Sequence, residues 1–280
     1  MTWLPPRVEY QQNAGLRRHR ERYDHVDTSD VMDIGASVGP YVDRVPSLPS
    51  RFDFAEIAIG EGERPLAELD IPELSARFDR SGLGSVVHLP YRQPLSTSID
   101  RIDDATIDYL DTVIGTASSI GARKVVAHPT ARGAGHASDL LVDRMSELAA
   151  RGRTHGVTVC YETTGYAGGP EIDRVGELAT RADATICLDV GYAYLEAGIG
   201  GVTEFLGSYG DLVEHLHVHG ARRRGDTHIP VGSGEVAYKG LAESIVAAAP
   251  NTATIEVFTD DPEYLSSSAD RFLESIATAR

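Results

Sequence analysis

The sequence predicts an α/β protein of the (β/α)8 TIM-barrel class with an irregular N-terminal extension. Eight short apolar runs recur along the chain, and helix-like stretches separate most of them. Near-continuous apolar strands are typical of a parallel sheet that is covered on both faces. Eight such units in about 250 residues match the usual size of a TIM barrel. A doubly wound open sheet is the second choice.

The predicted strands are short apolar runs rich in β-branched residues. They are MDIGASV near 32, FDFAEIAI near 52, LGSVVHL near 83, RKVVAH near 123, VTVCYE near 157, ATICLDV near 184, VEHLHVH near 213 and ATIEVF near 253.

The stretches between the strands carry helix signals. Segments 98–120 and 137–156 repeat apolar residues near the 3.6-residue period of an amphipathic helix, and the second stops at Gly156. A third helical stretch, 261–280, closes the chain. No GxGxxG or GxxxxGK[ST] motif follows the first strand, so a nucleotide-binding fold is not favoured.

We divide the chain into a leader, residues 1–31, and a barrel, residues 32–280. The leader has no sustained period, and we interpret it as a flexible segment or a start assigned too early. A short docking arm is the alternative. The apolar runs are too short for a membrane span, and the N-terminus does not resemble a secretory signal. Two cysteines, Cys160 and Cys187, without CxxC spacing suggest a reducing compartment, and we expect a cytoplasmic protein.

The charge balance bears on the partners. A formal net charge of −16 disfavours polyanions such as DNA unless a local basic patch overrides it. The run RRR at 222–224 is the only such patch that we identify. We therefore expect a small-molecule substrate and consider nucleic acid a poor partner.

Metal-capable side chains fall at the ends of six consecutive predicted strands and in one loop. In a TIM barrel the C-terminal strand ends form the active site. Charged groups in apolar strands are costly to bury without partners, and a divalent cation is a natural partner. Mixed imidazole and carboxylate ligands suit Zn²⁺, Mn²⁺, Fe²⁺ or Co²⁺ better than Ca²⁺. The residues are His88, His128, Glu162, Asp189, His217 and Glu256, with Asp226 and His228 in the loop after the seventh strand.

The ordered set HLPY, AHP, YET, DVGYA, HVHG, DTHIPVGSGE and IEV resembles the xylose isomerase-like TIM barrel superfamily from Met32 to the C-terminus. That superfamily includes sugar isomerases and epimerases and endonuclease IV-type nucleases. The resemblance implies a central metal held by Glu162, Asp189, His217 and Glu256, and a second held by His88 and His128 with Glu162 bridging. A third would use Asp226, His228 and a histidine, but this chain has Tyr192 at that position, and a phenol is a poor ligand at neutral pH.

We therefore expect one or two divalent ions per chain, with Zn, Mn, Co or Mg as candidates. The resemblance favours an isomerase or epimerase acting on a sugar or a related polyol or keto compound, in which Glu162 and Glu256 transfer the proton. The alternative is an endonuclease IV-like phosphodiesterase at abasic sites, and a barrel without chemistry is the third possibility. A homodimer is possible.

Four residues are candidates for substrate contacts. His219 contacts the substrate or a carboxylate behind the ligands, and Glu56 meets a substrate hydroxyl or is a capping carboxylate. Arg222 holds an anionic group of the substrate or lies in a solvated loop, and Tyr192 lines the mouth. His215 lies deeper on the same strand face as His217.

Overall fold

The barrel prediction is confirmed. A computed structural model describes residues 32–97, 99–133, 138–277 and 279, and the predicted leader, residues 1–31, lies outside the described residues. Eight parallel strands pair in chain order, and the last pairs with the first to close the barrel. They are β1 (Asp33–Gly39), β2 (Phe54–Ala58), β3 (Gly84–His88), β4 (Lys124–Ala127), β5 (Thr158–Glu162), β6 (Thr185–Asp189), β7 (Val213–Val218) and β8 (Thr252–Ile255).

Helices surround the barrel, and their ends carry the expected signals. The side chain of Asp70 caps the first helix by accepting from the Glu73 N–H at 3.0 Å, and Gly82 ends it in the left-handed conformation. The connection from β1 to β2 contains a 3-10 helix, Val42–Ser47, in place of an α-helix. The α-helices are α1 (Ile71–Ser81), α2 (Asp100–Ser119), α3 (Ser138–Thr154), α4 (Ile172–Ala182), α5 (Val190–Tyr209), α6 (Tyr238–Ala248) and α7 (Pro262–Ala277).

The inside of the barrel is layered. Its lower part is a small apolar plug, and most of the remaining core lies between the strands and the helices. Because side chains two residues apart on a strand share a face, the next inward position on each strand lies one layer closer to the mouth. The plug consists of Phe54, Val86, Val126, Cys160 and Cys187, and the positions two residues later are Glu56, His88, His128, Glu162 and Asp189.

The strand alternation therefore places a polar layer directly above an apolar one. Within the described part of the chain, no helix is both long and apolar enough to cross a bilayer.

Candidate metal centre

Four buried side chains from consecutive strands converge at the mouth of the barrel. Glu162 ends β5, Asp189 ends β6, His217 lies near the end of β7, and Glu256 directly follows β8. Each offers a ligand atom, and these atoms all lie within 4.8 Å of one another. The structure thus brings together the four residues that the family resemblance groups around a central metal.

His217 lies at the centre of this set. Its Nδ1 atom is 3.0 Å from Glu162 Oε1 and 3.1 Å from Glu256 Oε2. Burial on its own raises the pKa of Glu162, but the adjacent His217 and His128 outweigh it and hold that pKa well below its ordinary value. The pKa of Glu256 is also held well below its ordinary value, since His217 and His228 outweigh burial. Both carboxylates are therefore anionic near neutral pH.

The second predicted set is also assembled. Glu162 Oε2 is 3.2 Å from His88 Nε2 and 2.7 Å from His128 Nε2, while Oε1 of the same carboxylate faces His217. The Nδ1 atom of His88 is 2.9 Å from the carbonyl oxygen of Leu89, which favours the Nδ1–H tautomer and leaves Nε2 to face the carboxylate. Burial lowers the pKa of His88, but Glu162 outweighs it and raises the pKa to about 9. Glu162 therefore has the geometry of a bridge between the two sets.

The predicted third set is not assembled as the resemblance implied. The Asp226 carboxylate is 2.9 Å from Arg222 Nη1 and 2.9 Å from Arg224 Nε, and it belongs to none of the clusters among the described residues. Burial and nearby carboxylates raise the pKa of the Tyr192 hydroxyl, so the phenol stays neutral. Arg222, predicted to contact substrate, is engaged in this loop ion pair.

His228 lies apart from Asp226 and joins a different cluster with His219. His219 Nε2 is 3.0 Å from Asp189 Oδ1, and His228 Nε2 is 3.3 Å from Glu256 Oε2. The two imidazole rings stack with centroids 4.2 Å apart and planes 17° apart. Since an imidazole binds a metal in the plane of its ring, two nearly parallel stacked rings are poorly oriented to share one ion. The ligand atoms of Asp189, His219, His228 and Glu256 lie within 4.8 Å of one another, and the two imidazoles hold the two carboxylates in position.

The predicted substrate contacts of Glu56 and His219 do not agree with how deeply these side chains are buried. Glu56 is 1% exposed and His219 is 0% exposed, so neither side chain is open to a molecule at the mouth. Glu56 lies two residues before the end of β2. The ring of His219 turns back against Asp189, which it reaches through Nε2.

The loop after β7 carries His228 back over the site. Gly220 and Ile229 pair through two backbone hydrogen bonds of 2.6 and 3.1 Å, which close this loop. A Cβ atom at Gly220 would lie 2.6 Å from the carbonyl oxygen of Pro230, so the close approach needs glycine. His228 follows with a positive φ of 53°. The motif DTHIPVGSGE therefore positions His228, while its Asp226 stays outside.

A family model described as xylose isomerase-like TIM barrel matches residues 51–277. The chain belongs to this family.

Individual members and solved structures are more distant. The curated "Probable endonuclease 4" of Bacillus velezensis is 25% identical over 201 residues, which cover 64% of this chain and 67% of that protein. A crystal structure of a D-tagatose 3-epimerase-like protein has a TM-score of 0.72 at 20% identity and covers 89% of this chain and 98% of its own. The IOLI protein with a binding zinc atom has a TM-score of 0.73 at 14% identity and covers 89% and 99%. At these identities the structural likeness concerns the fold.

Aromatic side chains form the rim of this xylose isomerase-like barrel, and the sequence analysis identified only Tyr192 among them. Phe258 is 73% exposed, and its ring stacks on His228 with centroids 4.1 Å apart and planes 6° apart. Tyr91 lies beside His128 at 4.9 Å, and Tyr166 stacks on Tyr192 at 5.9 Å. The only signal for Phe258 was its place two residues after Glu256. An exposed aromatic ring beside polar ligands suits a substrate that presents an apolar face.

Gly191 lets His219 reach Asp189, and its replacement should destabilise the protein. A Cβ atom at Gly191 would lie 2.1 Å from His219 Cε1. We expect Gly191→Ala to lower the free energy of unfolding by about 1–3 kcal/mol, measured by denaturant titration. Gly207→Ala in the same helix is the control, because nothing lies within 4 Å of its added Cβ atom. Equal stability of the two variants would contradict this role.

Proposed function

We propose that this protein is a divalent-cation-dependent isomerase or epimerase of a small polyhydroxylated carbonyl compound such as a sugar. One observation carries the proposal: Glu162, Asp189, His217 and Glu256 converge within 4.8 Å at the C-terminal end of a closed barrel. In this fold that end bears the active site.

The residues fit a cation. Four carboxylates are buried inside the barrel, and burying anions is costly unless they are paired. Glu256 Oε2 is buried and makes no hydrogen bond of regular geometry among the described residues, although His217 Nδ1 and His228 Nε2 lie 3.1 and 3.3 Å away, so it remains open to another ligand. Carboxylate and imidazole donors suit Mn²⁺, Zn²⁺, Co²⁺ or Mg²⁺. The central set would hold one cation, and His88, His128 and Glu162 would hold a second. The four carboxylates are Glu56, Glu162, Asp189 and Glu256.

The same residues support proton transfer. A bound cation supplies Lewis-acid polarisation of a carbonyl, which acidifies the neighbouring C–H bond. Glu162 and Glu256 both lie within 3.1 Å of the Nδ1 atom of His217, through different carboxylate oxygens. Glu162 can take the proton from carbon on one face, and Glu256, after receiving a proton from the neighbouring His228, can deliver that proton to the opposite face. His228 Nε2 lies 3.3 Å from Glu256 Oε2, close enough to exchange a proton with it.

Several observations support a small neutral substrate. Solved structures with similar folds include D-psicose 3-epimerase with D-tagatose from Clostridium cellulolyticum H10, with a TM-score of 0.70 at 15% identity and coverage of 89% of this chain and 99% of its own. The exposed Phe258 and Tyr91 rings at the rim provide faces on which a sugar ring can stack. The formal net charge of −16 disfavours a polyanion.

Cleavage of DNA at abasic sites is the second candidate. The similarity to the curated endonuclease of Bacillus velezensis and the His88–His128–Glu162 set favour it. Against it, Asp226 is paired with two arginines, and Tyr192 stands where the resemblance requires a histidine. Arg222 and Arg224, two of the three arginines in the run at 222–224, are thereby partly neutralised. This geometry gives no support to a third cation held by Asp226.

The test combines metal analysis with an exchange assay. We expect purified protein to contain one or two divalent ions per chain. Loaded with Mn²⁺, it should convert at least one ketose of a pentose and hexose panel in D₂O and incorporate deuterium at the epimerised or isomerised carbon, followed by NMR. An abasic-site duplex assayed in parallel should remain intact. Metal-loaded protein that cleaves the duplex and exchanges no sugar C–H would replace this proposal by the nuclease.

A further inference from the structure

A buried carboxylate lies directly beneath the central set, on the far side of its histidine. Glu56 projects from the middle of β2 into the barrel and is 1% exposed. Its Oε1 atom is 3.1 Å from Nε2 of His217. The other nitrogen of that ring, Nδ1, faces Glu162 and Glu256 at the mouth. The imidazole is therefore held between one carboxylate below and two above.

The lower nitrogen of His217 needs a partner. Nε2 is buried, and among the described residues it makes no hydrogen bond of regular geometry. The Cys187 sulfur is the other nearby acceptor, and a thiol accepts weakly. Glu56 Oε1, at ion-pair distance, is the strong acceptor on this side. When one imidazole nitrogen binds a metal, its other N–H is generally held by a carboxylate or a carbonyl, which fixes the tautomer and the ring orientation.

The rest of the layer holds Glu56 in place. Its second oxygen, Oε2, accepts from Thr254 Oγ1 at 2.5 Å and lies 3.2 Å from His215 Nε2. The Nδ1 atom of His215 is in turn 2.6 Å from Thr252 Oγ1. These contacts use strands β2, β7 and β8, so the position of Glu56 is fixed by the barrel itself. Only Oε1 is left to face His217.

We propose that Glu56 is a positioning residue that accepts the Nε2–H of His217 and thereby directs the Nδ1 lone pair toward the cation. The inference rests on the proposed cation site but assigns a role to a residue outside it. Glu56 does not touch the substrate. The deep network of Glu56, His215 and Thr254 therefore acts on cation binding through a single ring.

The first test compares the affinity of apoprotein for Mn²⁺ by competition with a chelator. Glu56→Gln keeps the size of the side chain but removes the anionic acceptor, and it should weaken Mn²⁺ binding by about 10–100-fold. Thr254→Val is the matched control, because it removes a hydrogen bond to the other oxygen of the same carboxylate. It should lower the melting temperature, and because Glu56 keeps its charge and its contact with His217, it should weaken Mn²⁺ binding much less than Glu56→Gln does. Equal Mn²⁺ affinity of Glu56→Gln and wild type would overturn the inference.

A second measurement needs no variant and decides the matter if Glu56→Gln does not fold. In Zn²⁺-loaded wild type labelled with ¹⁵N-histidine, His217 should show metal-bound Nδ1 and a slowly exchanging Nε2–H. Binding of Zn²⁺ through Nε2 would refute the role of Glu56 while leaving the proposed function intact. Wild type that binds neither Mn²⁺ nor Zn²⁺ would overturn both proposals. The metal assay and the NMR spectrum therefore separate the two failures.

Discussion

Glu162→Gln and Glu256→Gln should each lower kcat/KM for the sugar substrate by at least about 10²–10⁴-fold, the usual contribution of a positioned acid or base. Glutamine fits the same space but can neither accept a proton nor carry the charge that a cation needs. Glu162 contacts three histidines, His88, His128 and His217. Glu162→Gln should therefore weaken cation binding more than Glu256→Gln does. Turnover and deuterium incorporation at saturating Mn²⁺ measure the loss.

A carboxylate at the opposite end of the barrel provides the control. Glu214 lies near the start of β7, away from the mouth, and its carboxylate pairs with Asn251. Glu214→Gln should therefore keep wild-type turnover. Circular dichroism and melting temperature should show that all three variants are folded. If both Glu162→Gln and Glu256→Gln bind the cation and keep the wild-type kcat/KM, the proposed proton transfer by these two residues is wrong.

The strand pattern predicts that the members of the central set lie at one end of the barrel, and the family resemblance groups four of those residues as one set. The two-residue period of a strand and the common end of parallel strands are enough to place Glu162, Asp189 and His217 on one layer. On the neighbouring strands β6 and β7, Asp189 and His217 are register partners, so their side chains lie side by side. A closed barrel makes this layer a ring, so residues distant in the chain meet without any further information.

Depth and loop pairing could not be predicted in the same way. Glu56 meets His215 across a separation of 159 residues, and the contact depends on where β2 ends and how the strands are staggered. Asp226 is the first residue of the motif DTHIPVGSGE, yet its carboxylate forms ion pairs with Arg222 and Arg224 of the same loop. The exposure of Phe258 depends on the shape of the rim. These features follow from tertiary packing, which the strand period does not encode.

Removing the cation should abolish turnover and make the stability of the protein depend on pH between about 6.5 and 9. In the cation-free protein, Glu162 outweighs burial and raises the pKa of His88 from 6.5 to about 9. A raised histidine pKa adds stability that is complete below pH 6.5 and is lost as the pH passes 9. The shift corresponds to about 3 kcal/mol. At the acid end the sign reverses, because the lowered pKa of Glu162 gives stability that is lost as the pH falls below the ordinary value of 4.5.

Cation binding should flatten this profile, because the ion then neutralises Glu162 in place of a protonated His88. It should also stabilise the folded protein by about 3–4 kcal/mol at 100 to 1,000 times its dissociation constant. Urea titrations from pH 6 to 9.5, with excess Mn²⁺ or with a chelator, measure both effects. His88→Asn should reduce the alkaline slope of the stripped protein but not remove it, because the pKa values of His217 and His219 are also raised by the carboxylates beside them. Parallel pH profiles for the loaded and stripped forms would show that no cation enters the His88–His128–Glu162 set, and loss of turnover on chelation would then be assigned to the central set alone.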